Sequence, residues 1–194
     1  MNIESANLSD ASDLAYLINL AGEGIPEFLW SEMAEENETP LEVGKRRASR
    51  EEGGFSYRNA RIIRQKGFVA GMIISYQLDD PYTLESIEEY PEVIRPLVLL
   101  ESEAPGSWYI NAIATNEDLR GQGIASCLMS EAEAFAKSNS VDCMSLIVAS
   151  ENESAKSLYL TLGYERVSSL PVVAYPSSIH GGDWDLMIKK LNNA

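Results

Sequence analysis

The stretch from residue 108 to residue 164 constrains the fold most. Residues 108–115 read as a strand, 116–120 are polar loop, and 121–138 carry apolar side chains at helical spacing. On that helix Ile124, Leu128, Ala132 and Phe135 are expected inward. Residues 144–149 are almost continuously apolar, the pattern of a strand buried on both sheet faces. Residues 154–162 predict a second helix, stopped by Gly163 at a position suited to a left-handed cap. Closing strands are expected at 164–169 and 184–189. Strand, helix, strand, helix, strand in this order requires a parallel crossover, which excludes an all-helical or purely antiparallel chain.

The first half supplies simpler elements. Ser9 or Asp10 can cap a helix whose stripe is Leu14, Leu17, Ile18 and Ala21. The run Gly22-Glu23-Gly24-Ile25-Pro26 breaks it. Helices are then expected at about 27–36 and 41–50. Residues 61–64 and 68–76, joined by Gln65-Lys66-Gly67, predict a hairpin. Residues 79–106 contain Pro81, Pro91, Pro96 and Pro105 and read as an acidic insertion with a short helix. No repeat or interdomain linker interrupts the 194 residues, so one domain spanning 1–194 is the expectation.

Charge narrows the function. The formal net charge is −15, which speaks against nucleic acid or anionic lipid as partner, because phosphate recognition needs a basic face. No run approaches the roughly twenty apolar residues of a membrane span. The start, Met1-Asn2-Ile3-Glu4-Ser5, lacks the basic and apolar regions of an export signal. Cys127 and Cys143 lie in apolar runs and read as small buried hydrophobes; with one histidine they make a poor metal set, so no metal is expected. Two unpaired thiols suit a reducing cytoplasm.

Two segments carry chemistry. Arg120-Gly121-Gln122-Gly123-Ile124-Ala125 follows a strand and opens a helix. A helix start leaves N–H groups unpaired and holds positive partial charge, which attracts phosphate. Gly121 and Gly123 let the backbone approach an anion, and Arg120 adds a cation. A dinucleotide fingerprint would need a third glycine where Ser126 stands, and a P-loop would need Gly-Lys-Ser/Thr. The second segment runs from Asn152 to Tyr164. Ala155, Leu158 and Leu162 share one helical face, and Tyr159 is offset from it, able to face a groove between strands or to sit as a core aromatic.

Together these segments resemble the GNAT superfamily of acyl-CoA-dependent N-acyltransferases. Arg120, Gly123 and Ala125 match that family's pyrophosphate motif, Gln/Arg-x-x-Gly-x-Gly/Ala. Asn152, Ala155, Tyr159, Gly163 and Tyr164 match its next motif. The resemblance implies an α/β fold: a mixed, twisted, largely antiparallel sheet with flanking helices and two central parallel strands, here 108–115 and 144–150, that splay apart. It implies acetyl-CoA as cosubstrate, with pantetheine meeting the main chain of Ile113 and Thr115 and also Asn152. The pyrophosphate is then expected on the amides of Gly121, Gln122, Gly123, Ile124 and Ala125, with Arg120 shaping the loop. Glu117 departs from the family, which often has proline there, and brings negative charge near the phosphates.

The implied reaction is direct attack of a neutral primary amine on the thioester. An amine of pKa about 10.4 is neutral only once in a few thousand at pH 7, a hurdle of roughly 4–5 kcal/mol that a base or water chain must relieve. The oxyanion is expected to take a main-chain N–H near Ala114. Tyr159, matching the family's tyrosine, is the expected acid for the CoA thiolate. The base is not legible: Glu101, Asn111 and His180 are the residues to weigh. The acceptor wall falls at 22–28 and 171–175, where Glu23, Glu27 and the overall acidity favour a small-molecule or peptide amine that is cationic. A homodimer is compatible with this reading. Two other classes compete: a non-catalytic acyl-CoA sensor of the same fold, and an acidic interaction protein that does not bind CoA.

Overall fold

The computed structural model describes residues 1–84, 86–176 and 178–191. Among these residues seven strands form one mixed sheet in the order β1-β2-β3-β4-β5-β7-β6. They are β1 (Ile3–Ser5), β2 (Ala60–Gln65), β3 (Phe68–Gln77), β4 (Trp108–Thr115), β5 (Cys143–Ala149), β6 (Glu165–Pro171) and β7 (Asp183–Lys190). The described residues also form six α-helices: α1 (Ala11–Ala21), α2 (Ile25–Met33), α3 (Pro40–Ala48), α4 (Arg95–Ser102), α5 (Ile124–Ser138) and α6 (Glu153–Thr161). The mixed α/β architecture agrees with the sequence reading. The chain forms two compact units, Met1–Ser75 with Asn111–Ala132, and Tyr76–Ile110 with Glu133–Ala194.

In the first unit β2 pairs antiparallel with β1 and with β3. Strand β1 carried no sequence signal, being three residues long with only Ile3 apolar. Asp10 stands at the N-cap of α1 but makes no side-chain cap there; Asn7 caps the 3-10 turn Leu8–Asp10 just before it, its Oδ1 accepting the Ser9 N–H at 2.9 Å while the Asp10 carboxylate accepts the Asn7 N–H at 2.9 Å. Arg64 holds the buried Asp10 at 2.9 Å. Helices α2 and α3 end at Met33 and Ala48, short of the expected 36 and 50. Their contact requires Gly44, where a Cβ would lie 2.4 Å from the Trp30 ring. Gly71 of β3 does the same for α5: a Cβ there would lie 2.6 Å from Ile124 Cγ2 and 3.0 Å from the Ala114 carbonyl oxygen.

In the second unit β4 runs parallel to β5, with Trp108↔Met144, Tyr109↔Ser145 and Ile110↔Leu146 in register. Strand β7 lies antiparallel between β5 and β6. The insertion contributes α4, which packs on β5, β6 and β7. Phe135 is 54% exposed, against expectation, and Ala136 takes the inward position. The Phe135 ring instead covers Trp108, with centroids 5.1 Å apart. A deeper polar feature is Asp185 on β7, fully buried, with Lys156 Nζ and Arg166 Nη1 each 3.6 Å from its carboxylate.

Candidate functional site

The glycine-bearing segment is set by its two ends. The Asn116 N–H donates to the Ala70 carbonyl at 2.9 Å, tying the end of β4 to β3. One 3-10 turn, Glu117–Leu119, follows, and α5 begins at Ile124 rather than at 121. The intervening glycines have positive φ, 76° at Gly121 and 78° at Gly123, and a Cβ at either would meet nothing within 4 Å. The glycines are therefore needed for backbone conformation, not to relieve crowding. Residues 121–123 are exposed, and the first backbone bond of the helix is Cys127 N–H to the Gly123 carbonyl at 3.0 Å. Among the described residues, the N–H groups of 121–126 meet no backbone carbonyl. They form a compact set of donors with the partial positive charge of a fifteen-residue helix behind it. Arg120 is exposed and its guanidinium pairs with Glu117 at 3.4 Å. On β4, Ala112 and Ala114 are buried while Asn111, Ile113 and Thr115 are half-buried on the other face.

The second motif lies in the other unit. Asn152 caps α6, its Oδ1 accepting the Ala155 N–H at 3.1 Å. Tyr159 is the buried residue of α6; Ala155, Leu158 and Leu162, which share one helical face, are half-buried. The Tyr159 ring lies 6.0 Å from that of Tyr164. Gly163, at φ 88°, turns the chain so that the Tyr164 N–H reaches the Tyr159 carbonyl at 3.0 Å. Lys156 Nζ donates to the Ser150 carbonyl at 2.7 Å.

The three residues weighed as base differ in surroundings. Glu101, on α4, is half-buried; burial pushes its carboxyl above the usual carboxylate range, against the hydroxyls of Tyr109 and Tyr82 that favour its charged form. Asn111 is half-buried on β4, and His180 is half-buried in the loop before β7. On the expected acceptor wall Glu23 and Gly24 have positive φ, 54° and 90°, and Glu27 is engaged with Asn19 through two 2.9 Å hydrogen bonds. The cysteines are half-buried rather than buried, and burial raises the Cys143 thiol above its ordinary value. Among the described residues no three His, Cys, Asp or Glu side chains gather as a metal set, and no helix is long and apolar enough to cross a membrane.

A cluster that the sequence did not reveal surrounds Glu101. Tyr109 is buried beneath it, Tyr76 meets Tyr109 edge-on at 5.9 Å between centroids, and the Tyr82 hydroxyl lies 3.4 Å from Glu101 Oε2. Burial lifts all three phenols, that of Tyr82 to about 12. Glu101 and Tyr82 lie in the insertion, where no periodic pattern points inward.

Comparison with known proteins adds independent information. The family model described as "Acetyltransferase (GNAT) family" matches residues 23–164. No curated protein sequence matches. Among solved structures, a crystal structure of an acetyltransferase shares 21% identity with a TM-score of 0.68, over 99% of this chain and 100% of the other. An agmatine N-acetyltransferase variant in its apo form shares 14% identity with a TM-score of 0.68, over 98% and 99%. A Drosophila melanogaster polyamine N-acetyltransferase, an enzyme that forms N-acetylagmatine, shares 12% identity with a TM-score of 0.69, over 98% and 99%. At these identities the likeness concerns the fold.

Proposed function

Because the chain belongs to the acetyltransferase (GNAT) family, we propose that it is a cytoplasmic N-acetyltransferase that moves an acetyl group from acetyl-CoA to a primary amine. One observation carries this reading: the N–H groups of 121–126, which meet no backbone carbonyl among the described residues and are shaped by two glycines at positive φ in the exposed stretch 121–123. Such a donor set suits a diphosphate. Gly121, Gln122, Gly123, Ile124 and Ala125 bind it through the main chain, and Arg120 lends a cation. Ile113 and Thr115 bind the pantetheine arm through backbone groups, and Asn152 also meets it.

Acetyl-CoA supplies an activated thioester. The amine nitrogen forms a bond to the acetyl carbon as the C–S bond breaks. The Ala114 N–H stabilises the oxyanion. Tyr159 donates its phenolic proton to the departing thiolate and is reprotonated by the proton the amine loses, so the protons balance. The phenol's ordinary pKa, about 10, is close enough to that of a thiol for this transfer.

The test is thiol release from acetyl-CoA across a panel of amines, beside calorimetric titration with CoA. Release with an amine supports the enzyme. Tight CoA binding without release from any amine identifies an acyl-CoA sensor instead. Absence of CoA binding overturns both.

A further inference from the structure

A cavity of about 310 Å³ lies among the end of β3, the start of the insertion and the last turn of α4. Tyr76, Gln77, Asp79, Tyr82, Thr83 and Glu101 line it. Its size is at the lower end of pockets that hold small organic ligands. Its chemistry is one-sided. Among the described residues two carboxylates and two phenols face it, and no cationic side chain does.

Glu101 defines the depth of this site. Its carboxylate accepts the Tyr82 hydroxyl at 3.4 Å, and Tyr109 offers another hydroxyl from beneath. A carboxylate has about four acceptor positions, so two hydroxyls leave capacity for a further donor. Among the described residues no Lys, Arg or His pairs with it. A half-buried anion satisfied by neutral donors alone bears a desolvation cost that a bound cation would offset. The phenols, all held well above neutral pH, stay uncharged and present ring faces that also attract a cation. Asp79 at the exposed side, with the Gln77 and Thr83 oxygens, completes a set of acceptors suited to a group with several N–H donors.

We propose that this cavity binds the primary ammonium group of a diamine or polyamine. The inference rests on the acetyltransferase reading in one respect: the ammonium held here is the acceptor's second nitrogen, not the one that reacts. A carboxylate stabilises the charged form of an amine and so opposes nucleophilic attack. The nitrogen that meets the thioester must be neutral, whereas the nitrogen against Glu101 is kept protonated. The substrate class is thus an amine with a separate cationic end.

The experiment titrates the full chain, without acyl-CoA, with 1,4-diaminobutane and with tetramethylammonium in a calorimeter, for the natural protein and for Glu101→Gln. The expected result is saturable diamine binding, weaker binding of tetramethylammonium, which has no N–H, and a loss of about tenfold in diamine affinity in Glu101→Gln. No diamine binding, equal binding of the two cations, or equal affinity in the variant overturns the proposal. Tyr82→Leu carries the same comparison should Glu101→Gln fail to fold by circular dichroism. A kinetic arm separates this inference from the activity it builds on. With acetyl-CoA, Glu101→Gln should raise KM for 1,4-diaminobutane about tenfold more than KM for butylamine. If kcat falls alike for both amines, Glu101 serves the chemistry and the cation site is wrong. If no amine releases thiol, the acetyltransferase reading fails, while calorimetry still judges the cavity.

Discussion

The two motif-bearing segments do their work by different physical means. On the proposed reading the segment 116–126, exposed at 117–118 and 120–123, acts through main-chain N–H groups, and its glycines, Gly121 and Gly123, matter mainly by lacking side chains. The segment 152–164 would act through side chains that are also structural on that reading: Asn152 caps a helix, Lys156 reaches the Asp185 carboxylate, and Tyr159 is buried against Tyr164. Function in the first should therefore be separable from stability, and in the second entangled with it. Substitutions can test that contrast directly.

The largest effect is expected at Tyr159. Tyr159→Phe removes one hydroxyl and retains the ring that packs on Tyr164. Turnover should fall by about 10²- to 10⁴-fold, the usual contribution of a positioned acid, with CoA affinity nearly unchanged. Steady-state thiol release beside calorimetry checks this. Unaltered turnover removes Tyr159 from the mechanism and leaves it a core aromatic.

Next in size is Asp185, where the contrast predicts a loss of stability. Its carboxylate is fully buried, 3.6 Å from both Lys156 and Arg166, and neither of its oxygens has a hydrogen-bond partner among the described residues. Asp185→Ala leaves the half-buried Lys156 with only the exposed Glu153 carboxylate, 3.9 Å away, and opens a small void in β7. The expected cost is about 3 kcal/mol, since breaking a buried pair exposes the full desolvation of the remaining charge. The midpoint of urea unfolding measures it. A shift corresponding to under about 0.5 kcal/mol would mean that the cluster is no more than a surface pair.

Gly123→Asp probes the other side. Open space around Gly123 means that a new side chain meets no protein atom, and aspartate tolerates positive φ better than most residues. The fold should be nearly unaffected, whereas CoA affinity should drop by about 10- to 100-fold from like-charge repulsion at the diphosphate. Gly123→Asn, of similar shape and uncharged, should lose less. Equal losses in the two would trace the defect to backbone conformation, and no loss in either would move the diphosphate away from these amides.

What could be read in advance follows the same division. Strand β4 and the helix pair after it were legible because period and glycine punctuation are local properties: 108–115 was expected and Trp108–Thr115 is observed. The start of α5 was misplaced by three residues because two glycines at positive φ continue the loop while resembling the first helical turn. Phe135 departs from the expected inward position because an exposed aromatic can cover a neighbouring ring instead of entering the core. Asp10 at the N-cap of α1 is legible beside the apolar stripe, whereas the reciprocal bond between Asn7 and Asp10 shows only in the geometry. The Glu101 cluster was hidden for a different reason. Its tyrosines come from β3, the insertion and β4, and nothing in the local pattern of any of them signals the other two.

The smallest predicted effect refines the contrast within the glycine segment. Glu117 brings negative charge beside the donor amides and engages Arg120 at 3.4 Å. Both side chains are more than half exposed, so their pairing contributes at most about 1 kcal/mol. Glu117→Gln removes the repulsion and releases Arg120, so CoA affinity should rise by about two- to fivefold at low salt. The gain should fade as salt is raised, because charges on this surface are screened beyond about 8 Å at physiological ionic strength. Calorimetry at two salt concentrations reads both features. A fall in affinity instead would show that Glu117 steadies Arg120 in its binding position, giving the exposed segment a side-chain dependence like that of 152–164.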